Sequence, residues 1–188
     1  MEEAFVIGNG ISRLDIDLEK IDGKTYGCNL LYETFQPDVL VAVDAKVANR
    51  IQNLDYCKTH ILYTREPKSD SGAIKIEKNW GYSSGPVAIT LACQDNPRYV
   101  YMIGFDLKGT AQGKLNNVYA DRENYKTSDM DETHYGNWIQ QVQQIMKDYP
   151  QIKFIRVNPH LDYSPREWTE SRNYTTMSLK HFLQKINI

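Results

Sequence analysis

The chain has 188 residues, a length that suits one domain and can bury a sizeable core. Its 22 basic residues face 24 acidic ones, for a formal net charge of -2, so bulk charge favours neither a polyanionic nor a basic partner and nucleic acid is not implied. No apolar run approaches the roughly 20 residues that cross a bilayer, which argues against a membrane span.

In chain order, Phe5-Val6-Ile7 is dense and apolar, as a strand covered on both faces is. It stops at Gly8-Asn9-Gly10, ahead of Ser12 and Arg13. Residues 25–28 predict a weaker strand that ends at Asn29. Residues 39–43 predict a strong one, followed by Asp44 and a helix over 45–54. Residues 60–63 and the alternating residues 73–76 predict two lesser strands, the second at a sheet edge. Pro86, a residue favoured in the first helical turn, follows Ser83-Ser84-Gly85 and predicts a helix over 86–93.

Residues 99–103 then form a strong strand that runs into Gly104-Phe105-Asp106. The polar stretch 108–131 exceeds the usual connection length and reads as a functional lid or a disordered excursion. Trp138, Val142, Ile145, Met146 and Tyr149 recur at spacings of three and four, which predicts an amphipathic helix over 132–149, with Asp131 as its cap and Pro150 as its stop. Residues 152–157 predict the last strong strand, ending at Asn158. Residues 159–188 have a different texture, few aliphatic residues and then a short amphipathic helix opened by Ser178. This extension is expected to wrap the sheet or to reach a neighbouring subunit of a homo-oligomer.

Strands alternating with helices predict an α/β fold, a single-domain, Rossmann-like, open and mostly parallel sheet with helices on both faces. The three cysteines, Cys28, Cys57 and Cys93, are widely spaced without a CxxC pair or a histidine cluster. They fit a reducing cytoplasm, as does a start, Glu2 and Glu3, that lacks the basic residues of a signal peptide.

Ligands of open α/β sheets bind outside the carboxyl ends of the strands, so the residues there are the candidates. Around Gly8, Asn9, Gly10 and Ser12, glycines that accept positive φ and successive amides suit an anion such as a phosphate. The stretch is not the dinucleotide fingerprint, since Arg13 takes the third glycine's place, and no GK[ST] follows to make a P-loop. Ser83, Ser84 and Gly85 at a helix start make a second anion seat, or else one serine simply caps the helix. Asp44 and Asp106, each just past a strand end, join the nucleotide site or bind Mg that bridges phosphates, unless each caps a helix or turn. His134 is the candidate general base, since an imidazole titrates near neutrality; its plainer reading is an ordinary polar surface residue. Tyr119 and Tyr125 in the long loop can close over a base or phosphate, with Arg122 and Lys126 beside them.

The succession "VIGNGISRLDIDLEKI", "YGCN", "SSGPVAITLACQ", "YVYMIGFDL", "VY" and "HYGNW", over residues 4–138, resembles the bacterial sialyltransferases of the Campylobacter type. It also looks like a wider group of uncharacterised bacterial and tailed-phage proteins and pterin-diphosphokinase relatives. The resemblance implies that Gly8, Asn9, Gly10, Ser12, Asn29, Ser84 and Gly85 hold the cytidine monophosphate part of a donor and that Tyr119 bonds its phosphate. It departs from the pattern in three places. Leu107-Lys108 replace a second tyrosine, Gly81 or Tyr82 stands at an arginine position, and the catalytic histidine falls near Asn137 or Trp138.

The expected function is a nucleotide-dependent, glycosyltransferase-like transferase that takes a CMP- or UDP-type sugar nucleotide. The alternatives are a non-catalytic phage or bacterial binding protein and a Mg-dependent pterin or nucleotide diphosphokinase-like enzyme.

Overall fold

Each strong apolar run becomes a strand of one sheet in the computed structural model, which describes residues 1–78, 81–123, 125–158 and 163–186. The elements are β1 (Glu3–Ile7), β2 (Lys24–Cys28), β3 (Val39–Ala42), α1 (Ala45–Asn53), β4 (Ile61–Thr64), β5 (Ile74–Lys75), α2 (Ser84–Gln94), β6 (Tyr99–Ile103), α3 (Gly136–Asp148), β7 (Lys153–Asn158), α4 (Arg166–Thr169), β8 (Tyr174–Ser178) and α5 (Leu179–Lys185). All eight strands are parallel, in the order β5-β4-β3-β2-β1-β6-β7-β8.

Side chains alternate across a strand, and β1 shows what that does. Ala4 and Val6 face a core completed by α2 and α3 through Val87, Ile89, Val142 and Ile145. Phe5 and Ile7 face the opposite core, where α1 supplies Val47 and Ile51 and α5 supplies Phe182. Both faces are therefore covered, and continuous apolar strands follow from that rather than alternating ones.

From β1 the chain steps outward to β5, returns through α2 to place β6 against the free side of β1, and then steps the other way to β8. The direction reverses between β1 and β6. At such a switch point the connections on either side leave towards opposite faces and open a crevice at the carboxyl ends.

Two expectations change. The third helix begins at Gly136, with Tyr135 at the N-cap, and not at 132 behind an Asp131 cap. Asp131 pairs instead with Lys114, both across an antiparallel bridge and through its carboxylate at 2.8 Å, and Glu132 accepts the Gly109 amide at 2.5 Å. Both residues are thereby held in the long loop, which is a packed cover with Leu107, Leu115 and Tyr119 buried beneath it. The second change lies at the C-terminus. Residues 159–162, where the C-terminal extension begins, lie outside the described residues, as do 187 and 188. Tyr174–Ser178 add an eighth strand beside β7, and Ser178 caps α5 by accepting the His181 amide at 3.2 Å. Of the two expectations for this extension, wrapping the sheet or reaching a neighbouring subunit, its described part does the first.

Candidate active site

The loop after β1 continues the sheet instead of bending out of it. Gly8 and Gly10 donate their amides to the Ile103 and Gly104 carbonyls at 2.7 and 2.9 Å. This approach is close enough to require glycine. A Cβ at Gly10 would lie 2.7 Å from the Gly104 carbonyl oxygen and 2.5 Å from Asp106 Cγ. Gly104, at φ +69, also occupies the left-handed region that glycine tolerates. Gly10 itself sits at φ -65, and Gly8 and Asn9 are likewise outside the positive-φ region. Space, not positive φ, is what this loop demands.

The amides expected to face an anion are mostly committed internally. Ile11 donates to Asn116 Oδ1 at 2.9 Å, Ser12 to Asp106 Oδ2 at 3.0 Å, and Arg13 to the Gly10 carbonyl at 3.3 Å. Ser12 Oγ also donates to Asp106 Oδ1. The Asn9 carbonyl accepts the Val118 amide at 2.8 Å, which ties the cover down onto the loop. What the loop offers a ligand is the side chain of Asn9.

At the end of β2, Asn29 stands at φ 58, a conformation asparagine tolerates. Its Oδ1 accepts from Ser84 Oγ at 2.9 Å, and Ser84 Oγ in turn accepts from the Val43 amide at 3.1 Å. One hydroxyl thus locks the start of α2 to the ends of β2 and β3, and Ser84 is 5% exposed. Ser83 holds the N-cap position, yet its side chain caps nothing. Pro86 has no amide to offer, and the first-turn amides of Ser84 and Gly85 have no intrahelical carbonyl to bond.

These segments converge. A cavity of about 270 Å³ is bordered by Gly8, Asn9 and Gly10 on one side, by Asn29 and residues 83–86 on another, and by Gly104, Phe105 and Asp106 below. The cover contributes Asn116, Asn117 and Tyr125, and the entry to α3 contributes Tyr135 and Trp138. Tyr125 and Tyr135 carry buried hydroxyls without a hydrogen-bond partner among the described residues, with the backbones of Leu30 and Asn116 close by. Burial pushes the Tyr135 hydroxyl up to about 12, and the Glu132 and Asp106 carboxylates add to the effect. Burial raises Tyr125 as well, and it pushes the Cys28 thiol up to about 12 against the lowering influence of Arg13. A shallower groove of about 630 Å³ adjoins the cavity, shares Asn29, Ser83, Ser84 and Trp138 with it, and runs past Asp44, Arg65 and Tyr82 at the ends of β3 and β4.

Two arginines are buried behind the floor. Arg156, 2% exposed, donates to the carbonyls of Phe105 at 2.7 Å, Asp106 at 2.7 Å and Tyr163 at 2.8 Å, and so fixes the turn after β6. Arg13, 6% exposed, donates to the Tyr119 hydroxyl at 2.7 Å. Neither makes an ion pair among the described residues.

Of the residues singled out from sequence, Gly8, Asn9, Gly10, Asn29, Ser83, Ser84, Gly85 and Asp106 meet around the cavity. Ser12 supports Asp106 from behind. Asp44 borders the groove and caps α1 by accepting the Lys46 and Val47 amides at 3.0 and 3.2 Å. Asp44 and Asp106 thus border different hollows, and no group of three or more His, Cys, Asp or Glu side chains is placed to hold a metal among the described residues. Tyr119 is buried against Arg13, away from the cavity. His134 is exposed on the rim between Thr133 and Tyr135, and neither it nor Ser12 borders the cavity. Sequence reasoning missed Asn116, Asn117, Tyr135 and Trp138. Their signal was faint, polar residues in an irregular loop and an aromatic pair that helical spacing assigns to the core.

The class defined by this fold and cavity is an open α/β protein with a crevice at the switch point of its sheet. No protein family and no curated protein matches the sequence. Among solved structures, the chain is similar to the sialyltransferase CstII from Campylobacter jejuni in complex with a substrate analogue, cytidine-5'-monophosphate, with 14% identity, a TM-score of 0.57 and coverage of 85% of this chain and 81% of that one. It is similar also to the same enzyme with a trisaccharide acceptor and CMP, at 14% identity, a TM-score of 0.54 and coverage of 85% and 82%. At such identities the likeness is one of fold. No helix among the described residues is long and apolar enough to cross a membrane.

Proposed function

We propose that the protein is a nucleotide-dependent transferase of the glycosyltransferase-like, sialyltransferase-like kind, which holds a CMP- or UDP-type nucleotide or sugar nucleotide in the cavity between β1, β6 and α2. The observation that carries this reading is the convergence of the Gly8–Gly10 loop, Asn29 and the first turn of α2 on one hollow, in a fold similar to that of an enzyme solved with CMP. Asn9 and Asn29 supply amide donors, the α2 start supplies backbone N–H groups at the positive end of a helix dipole, and Tyr125 and Tyr135 supply hydroxyls that stay protonated across the physiological range. Donors fixed in place before the reaction stabilise charge on a departing phosphate without reorganising. Calorimetry with CMP, UMP, CDP, UDP and their sugar derivatives tests it: micromolar to millimolar binding weakened by Asn29→Ala supports the reading, and no binding across the panel refutes it.

In this account His134 serves as the general base towards an acceptor, from the rim. His134→Asn then abolishes transfer and leaves nucleotide affinity intact. A second reading, a nucleotide-binding protein without chemistry, is favoured by one observation. The cavity is bordered by two tyrosines and a cysteine held protonated, and its carboxylate, Asp106, is bonded to Ser12. Nucleotide binding without turnover of any sugar nucleotide, in wild type and His134→Asn alike, selects that reading.

A further inference from the structure

The charges of the cleft are unevenly placed. Among the described residues no lysine or arginine borders the main cavity; its polar walls are amides, hydroxyls and one carboxylate. In the adjoining groove Arg65 is the one basic side chain among the described residues. It stands just past the end of β4 and is half-buried, and among the described residues its guanidinium makes a single hydrogen bond, Nη2 to the Tyr82 carbonyl at 2.7 Å. It forms no ion pair among the described residues, although Asp44 and Glu66 border the same groove. The Asp44 carboxylate is already turned to the amides of α1. Its other guanidinium nitrogens are not among the buried atoms that lack a partner, so they stay accessible from the groove and are placed to meet an anionic group there.

We infer that the groove at the ends of β3 and β4 is a second anion subsite, in which Arg65 pairs with an acidic group carried beyond the first phosphate of the bound nucleotide. The chemistry is a carboxylate or a second phosphate, both of which match a guanidinium's paired donors. This subsite rests on the nucleotide reading above, because the groove shares Asn29, Ser83, Ser84 and Trp138 with the main cavity. A ligand with its nucleoside monophosphate in the cavity would pass between Ser84 and Trp138 to reach Arg65. The residue therefore sets which nucleotides are preferred.

The test is calorimetric titration of wild type, Arg65→Gln and Arg65→Lys with CMP, CDP and CMP-N-acetylneuraminate. CDP adds a second phosphate to CMP and CMP-N-acetylneuraminate adds a carboxylate, so their comparison identifies the source of the acidic group. Wild type is expected to bind at least one of them about tenfold or more tightly than CMP, as charge-assisted hydrogen bonds allow. Arg65→Gln removes that preference and leaves CMP affinity close to wild type, while Arg65→Lys keeps part of it. CMP binding with no preference to lose, or a preference that survives Arg65→Gln, overturns the subsite and leaves the nucleotide reading standing. Failure of all three ligands to bind wild type overturns both.

Discussion

Ser84 shows how one hydroxyl fixes the chemistry of its neighbours. The Val43 amide can only donate, so Ser84 Oγ accepts from it and its own proton goes to Asn29. Asn29 must then present its carbonyl oxygen to Ser84, which leaves its amide nitrogen, unpartnered among the described residues, for a ligand. Ser84→Ala leaves a backbone donor and a side-chain acceptor unpaired, and is expected to lower stability by about 1–3 kcal/mol in urea unfolding. It should also weaken nucleotide binding, since Asn29 loses its fixed orientation. A variant that binds as tightly as wild type would show that this orientation is unimportant. Gly10→Ala is harsher. Its new methyl meets the Gly104 carbonyl and the Asp106 carboxylate, so the loops after β1 and β6 must part and the folding midpoint should fall well below that of the Ser84 variant.

Among the elements, the turn after β6 is held from β7 by Arg156, whose three carbonyl contacts need the spread of a guanidinium. Lysine has one nitrogen for those oxygens. Arg156→Lys is therefore expected to lose about 2 kcal/mol or more and to weaken nucleotide affinity, because Phe105 and Asp106 form the cavity floor; unchanged affinity in a folded variant would mean that the turn holds itself. Trp168, fully buried in α4, donates its indole N–H to the Ile139 carbonyl at 2.9 Å and pins α4 to α3. Trp168→Ala should cost about 3–5 kcal/mol by denaturant unfolding.

The elements also show what was legible in the sequence. β1, β3, β6 and β7 announce themselves as apolar runs because both of their faces are covered, and Ser178 announces α5 as a cap. β8 does not, since "YTTMS" alternates without an apolar face and is recognisable as a strand only beside β7. The start of α3 is hidden for a related reason. Asp131 and Glu132 are good first-turn residues, and only their long-range partners Lys114 and Gly109 draw them into the cover. The site was half legible on the same grounds. Glycine and serine punctuation after strands marks the floor and one wall, whereas Tyr135 and Trp138 depend on how the cover lies.

On the scale of the molecule, burial raises the proton affinity of many groups at once: Tyr26, Tyr101 and Tyr125 among the tyrosines, Cys28 and Cys93 among the thiols. Folded values above unfolded ones mean that stability is fully present below the unfolded values, about 8.5 for a thiol and about 10 for a tyrosine. It is lost as pH rises past them, because the unfolded chain ionises first. Urea midpoints are expected to fall steadily above about pH 9, and a flat profile to about pH 11 would contradict this distribution of buried hydroxyls and thiols.

Reversal of strand order between β1 and β6 sets the loop after β1 and the start of α2 around one cavity, which we propose holds a nucleotide. Amide chemical-shift mapping during a CMP titration tests it directly. The account predicts that the largest saturable shifts fall on residues 8–10, 29 and 83–85, with smaller ones on the cover around Asn116 and Tyr125. Shifts absent, unsaturable, or centred on the far ends of the strands would contradict it.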